Sequence, residues 1–93
     1  MATLTREEID TALALLPGWE FVDGAISKQY LLGSFPGAIA FVVRLSYDAQ
    51  AADHHPDLDI RYNKVRVTLS THSEGGVTAM DARLAGVIDA LVP

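Results

Sequence analysis

Leu58-Asp59-Ile60-Arg61-Tyr62-Asn63-Lys64-Val65-Arg66-Val67-Thr68-Leu69 is the stretch that decides the fold. Leu58, Ile60 and Tyr62 alternate with Asp59 and Arg61, while Val65, Val67, Leu69 and Thr71 alternate with Arg66, Thr68 and Ser70. That period of two belongs to strands with one buried face. The two runs meet around Asn63-Lys64, so the stretch reads as a β-hairpin. A matching hairpin lies upstream. Trp19 to Val22 and Ala25 to Leu32 flank Asp23-Gly24, whose glycine tolerates the positive φ that a two-residue turn requires.

Helices separate the hairpins. Thr5-Arg6-Glu7-Glu8 has the form of a capping box, with Leu4 placed to staple against Ile9. Ile9, Ala12, Leu13 and Leu16 then repeat at helical spacing until Pro17-Gly18 stops them. Ser34 caps a second helix running to about Ala52, with Pro36 tolerated in its first turn. Its apolar residues, Phe35, Ala38, Ile39, Phe41, Val42, Val43 and Leu45, cover more of the circumference than one sheet face can bury, which implies a subunit interface or a second packed helix. After the loop at Gly75-Gly76, Thr78-Ala79-Met80-Asp81 opens a third helix with a second box-like cap. Met80, Leu84, Val87, Ile88 and Leu91 form its apolar side, and Thr78 and Asp81 read as capping residues. The order α-β-β-α-β-β-α predicts a two-layer α+β domain, residues 1–93, in which a four-stranded antiparallel sheet carries helices on one face.

Composition narrows the function. Seven basic against twelve acidic residues give a net charge of −5. The few Lys and Arg are scattered along the chain, so direct nucleic-acid binding is not expected. The chain has no cysteine, which removes disulfides, thiolate metal sites and cysteine nucleophiles. No apolar run approaches a membrane span and the first ten residues lack a signal-peptide core, so the expectation is a cytoplasmic protein without membrane attachment.

All three histidines, His54, His55 and His72, lie between Asp53 and Asp81. They are the only side chains whose ordinary pKa allows proton exchange near neutral pH. Three readings stay open on the residues alone. In the first, the histidines hold a metal with Asp53 or Asp57 adding an oxygen; adjacent residues in an extended segment point apart, which sets His54 and His55 against sharing one ion. In the second, they are acid and base groups of a metal-free pocket, able to protonate a departing hydroxyl and take up a released proton. In the third, His-His-Pro simply ends a helix and His72 ends a strand. Pro56 biases His55 towards an extended backbone. By parity His72 falls on the side of Arg66, Thr68 and Ser70, away from the core, provided the strand extends that far. Trp19, the only tryptophan, is a core residue or also a wall of a ligand site.

A set of ordered segments adds to this. Asp53-His54-His55-Pro56, Tyr62-Asn63-Lys64-Val65, Leu69-Ser70-Thr71-His72 and Gly76-Val77-Thr78-x-x-Asp81 followed by Leu84-Ala85 resemble the signature of the pterin-4a-carbinolamine dehydratases. Gly18-Trp19, Ala25-Ile26-x-Lys28 and Phe41-Val42-x-Arg44 are similar to the same family, so the resemblance spans nearly the whole chain. It implies a lyase that dehydrates 4a-hydroxytetrahydropterin to quinonoid dihydropterin without metal or organic cofactor, working as a homodimer or homotetramer. By motif position it implies that His54 and His72 are the acid/base pair, that His55 binds and orients the ring, that Asp53 supports the histidines, and that Trp19 and Pro56 border the site. Two positions depart from the family pattern: Gln50 stands where Glu is usual, and Leu58 where an aromatic residue is common. The alternative reading is a non-catalytic binding or assembly module of the same fold.

Overall fold

The computed structural model describes residues 2–93. Helix α1 spans Arg6–Leu13, strands β1 Glu20–Val22 and β2 Ala25–Leu31, helix α2 Phe35–Ala51, strands β3 Asp57–Arg61 and β4 Lys64–Leu69, and helix α3 Ala79–Asp89, with a single 3-10 turn at His72–Glu74. The fold is α+β, with one antiparallel sheet ordered β1-β2-β4-β3. Both hairpins form. Asp23 and Gly24 have φ of 51° and 77°, the double positive φ of the turn that matches strand twist.

The second turn sits one residue earlier than expected. Arg61 pairs with Lys64, so Tyr62-Asn63 make the turn, and Tyr62 takes a φ of 55°. Asn63 fixes this position by stitching the turn to the neighbouring strand: its side-chain amide donates to the Leu32 carbonyl at 2.9 Å, and the Leu32 amide donates to the Asn63 carbonyl at 2.8 Å. Helix α1 also ends early, at Leu13. The amides of Leu15 and Leu16 reach back only three residues, tightening the chain before Pro17, which disfavours a helical residue at Leu16.

The core lies between the sheet and the helices. Ile26 and Tyr30 of β2 and Val65, Val67 and Leu69 of β4 meet Ala38, Phe41, Leu45 and Ala49 of α2 and Leu84, Ala85 and Ile88 of α3. Each large apolar side chain buried this way contributes about 1.5–3 kcal/mol. The apolar surface of α2 divides in two. Ala38, Phe41, Leu45 and Ala49 face the core, while Phe35, Ile39, Val43 and Tyr47, four residues apart, form an exposed stripe. The buried face expected for β3 is not covered: Leu58 is 39% and Ile60 37% exposed. The strand order explains the difference, because β3 is an edge and α2 packs over β4, one strand further in. Among the described residues no helix is long and apolar enough to cross a membrane.

Candidate active site

The site begins with how α2 stops. Ala52 is its C-cap, and Asp53 follows with a φ of 49°. The Asp53 amide donates to the Gln50 carbonyl at 3.1 Å, and the His54 amide to the Ala49 carbonyl at 3.0 Å. This pair of bonds is the Schellman motif, which needs one left-handed residue, and Asp accepts that conformation better than most. Asp53 thus acts through its backbone. Its side chain is exposed and makes no hydrogen bond or ion pair among the described residues.

The reversal at Asp53 sends His54 inwards, where it is buried. His54 Nε2 is hydrogen-bonded to Asp81 Oδ1. Asp81 is fully buried in the first turn of α3. Its other oxygen, Oδ2, accepts from the Thr78 amide at 2.8 Å and from the Thr71 hydroxyl at 2.9 Å. The Thr71 and Thr78 hydroxyls are themselves 2.8 Å apart. A hydroxyl has one proton, and that of Thr71 goes to Asp81, so Thr78 donates to Thr71. An ionised carboxylate only accepts, so His54 donates to it from Nε2, and in the neutral imidazole the lone pair is then on Nδ1. No buried side-chain nitrogen or oxygen among the described residues lacks a partner, and Nδ1 has none there, so Nδ1 is open to solvent. His54 also lines a cavity of about 420 Å3 between the end of α2 and α3, with Asp48, Ala51, Ala52, Met80, Arg83 and Leu84 among its walls.

His55 points elsewhere, as an extended residue before Pro56 must. It is exposed, and its Nε2 lies 2.9 Å from Gln50 Oε1. The Gln50 amide offers that ring an acceptor without the charge a carboxylate would bring. Pro56 is half-buried and leads directly into β3. His72 is exposed at the start of the 3-10 turn, so β4 does not extend to it. The alternation still holds one residue earlier, since Val65, Val67, Leu69 and Thr71 are all buried. Thr71 bridges to Gly76 and closes the small loop that carries His72. The His72 segment and His54 are therefore joined through one carboxylate: Thr71, next to His72, and His54 both bond to Asp81.

Trp19 lies away from this cluster. Its ring is buried in the core, and its Nε1 donates to Asp89 Oδ1 at 3.1 Å. Among the described residues no group of three His, Asp or Glu side chains is assembled that could hold a metal ion. The sequence reading missed Asp81 as the partner of His54, and Thr71 as a further partner of Asp81. A signal was present, because Asp81, Leu84 and Ile88 share one helical face, so this capping carboxylate had to enter the core.

Comparison with known proteins gives the same frame. The profile of the family described as pterin 4 alpha carbinolamine dehydratase matches residues 2–91. A Herpetosiphon aurantiacus protein, named as a provisional pterin-4-alpha-carbinolamine dehydratase, is 51% identical over 96% of this chain and 93% of its own. A Chloroflexus aurantiacus protein with the same name is 46% identical over 99% of both chains. A crystal structure of a transcriptional coactivator/pterin dehydratase from Brucella melitensis superposes with a TM-score of 0.94 at 39% identity, covering 98% of this chain and 99% of that one. A pterin dehydratase-like protein identified as a RuBisCO assembly factor in the alpha-carboxysome shares the fold at a TM-score of 0.65 and 20% identity, over 78% of this chain and 84% of that one. With a profile match over nearly its full length and relatives at this identity, the chain belongs to the pterin-4-alpha-carbinolamine dehydratase family.

Proposed function

We propose that this protein dehydrates a 4a-hydroxytetrahydropterin to the quinonoid dihydropterin and water. The C4a–O bond breaks as a proton reaches the departing hydroxyl, the N5–H proton is taken up by a base, and a C4a=N5 double bond remains. The observation that carries the reading is the buried imidazole and carboxylate pair of His54 and Asp81, with the second ring nitrogen of His54 open to solvent. Imidazole serves as either acid or base, and the carboxylate bonded to Nε2 fixes which ring nitrogen faces the cavity.

In this reading His54 and His72 share the acid and base roles, and His55, steadied by Gln50, orients the ring. Pro56 and the backbone of Asp53 set the direction of both adjacent histidines. Trp19 contributes through the core and not as a pocket wall. The reaction needs no metal or organic cofactor, because both proton transfers fall to histidines. A second copy of the chain would cover the exposed stripe of Phe35, Ile39, Val43 and Tyr47, giving a homodimer or homotetramer.

The test is whether purified protein accelerates loss of 4a-hydroxytetrahydropterin. His54→Ala and His72→Ala should each slow it about a hundredfold, and His72→Ala should leave stability unchanged, because that side chain is exposed and bonds nothing among the described residues. Unchanged activity in the double substitution would overturn the assignment. A folded protein without any activity would point instead to a binding or assembly role.

A further inference from the structure

The face of the sheet turned away from the helices carries a second polar site that the dehydration chemistry does not use. Strand register builds it. Gln29 of β2, Arg66 of β4 and Asp59 of β3 stand directly opposite one another, and Lys64 pairs with Leu31 on one side and Arg61 on the other. The polar side chains Gln29, Asp59, Arg61, Lys64 and Arg66 line a cavity of about 260 Å3. Arg61, Lys64 and Arg66 are three of the seven basic residues of a chain whose net charge is −5. They lie close together in sequence, and the hairpin turns all three onto one face.

Their charges are unequally compensated. Asp59 is bonded by Arg61, Nε to Oδ1 at 3.1 Å and Nη2 to Oδ2 at 3.5 Å. Arg66, although opposite Asp59 in register, donates instead from Nη1 to Ser27 Oγ at 3.1 Å. Ser27 is buried and also bonds Thr68 Oγ1 at 3.2 Å, so one edge of the guanidinium is pinned to the sheet. The remaining donors of Arg66 and the ammonium of Lys64 have no partner among the described residues, and the Gln29 amide lies beside them.

We propose that this cavity binds a small phosphate-type dianion. A pinned guanidinium fork, a mobile ammonium and a neutral amide donor suit the several oxygens of such an ion. A nucleic-acid backbone does not suit it: Glu20, Asp57 and Asp59 lie on the same face, leaving room for one anion and not for a row of them.

The test is a titration of isotope-labelled protein with inorganic phosphate, followed by amide NMR shifts at ionic strength held constant with sodium chloride. Saturable shifts at Gln29, Lys64 and Arg66 are expected, weakened about tenfold in Lys64→Gln and in Arg66→Gln and absent in the double variant. Glycerol 3-phosphate run beside inorganic phosphate tells whether an ester or the free ion binds more tightly. Shifts that do not saturate, that chloride alone reproduces, or that keep the same affinity in Lys64→Gln, whose side chain bonds nothing among the described residues, would overturn the proposal.

Discussion

At the start of α3, Asp81 is fully buried and uses both carboxylate oxygens, one for His54 and one for Thr71 and the Thr78 amide. At the end of the same helix, Asp89 collects Trp19 Nε1 at 3.1 Å, Lys28 Nζ at 3.0 Å and the Tyr30 hydroxyl at 2.5 Å, all on Oδ1. The helix dipole favours a carboxylate at the first position and opposes it at the second, by about 0.3–1 kcal/mol in each direction. Lys28 offsets that penalty. The two clusters differ in what they leave open. Around Asp81, among the described residues, every polar side-chain group is partnered except Nδ1 of the imidazole, the atom that the proposed function uses for proton transfer. The Asp89 cluster ties the end of α3 to β2 and to Pro17, whose carbonyl also accepts from Lys28 Nζ at 3.0 Å. Gly18 makes room for this: with a φ of 88°, a Cβ there would stand 3.0 Å from Lys28 Cε. Under the proposed function, one end of the helix serves chemistry and the other anchorage.

The largest effect is expected on stability at the Asp81 end. Asp81→Ala leaves His54, Thr71 and the Thr78 amide without their acceptor in a dry environment, and urea unfolding should show a loss of about 3 kcal/mol or more. At the other end, Asp89→Asn keeps a carbonyl oxygen for Trp19 and Tyr30 but removes the charge facing Lys28. Because Lys28 and Asp89 are 22% and 25% exposed, solvent screens part of that pair, and a loss of about 1 kcal/mol is expected by the same measurement. A loss as large as that of Asp81→Ala would erase the distinction.

The smallest effect is one of pH. Burial, then the hydrogen bond to Asp89, then the charge of Asp89, hold the Tyr30 hydroxyl well above its ordinary range. A pKa raised by folding contributes stability that is complete below the unfolded value, about 10, and is lost as pH rises beyond it. Unfolding measured from about pH 9 to 11 should therefore show a fall in stability that Tyr30→Phe reduces. Identical slopes in the two proteins would contradict a neutral Tyr30 in the anchor.

Local rules made much of the fold legible. Alternation at Val65, Val67 and Leu69, the turn at Asp23-Gly24 and the caps at Thr5, Ser34 and Thr78 depend on near neighbours, and both capping boxes form as read. What escaped depends on contacts between distant segments. The exposure of Leu58 and Ile60 follows from strand order, which alternation alone does not encode. Asp53 read as a supporting carboxylate, and the left-handed backbone by which it ends α2 was not legible. Asp81 read as a cap, which it is through Oδ2; its bond to His54 through Oδ1 spans 27 residues and needed the fold to appear. Gln50 was legible as a departure from the family pattern, but not as the partner of His55.

The measurement that tests the account most directly is the dehydration rate of Asp81→Asn against Asp89→Asn, each at equal folded concentration. An amide at position 81 presents a donor to His54 Nε2 and imposes the wrong tautomer, as happens when the aspartate of a catalytic triad becomes asparagine. A fall of about a hundredfold or more is expected for Asp81→Asn, and a rate for Asp89→Asn indistinguishable from that of the unmodified protein. Equal rates in the two variants would contradict this.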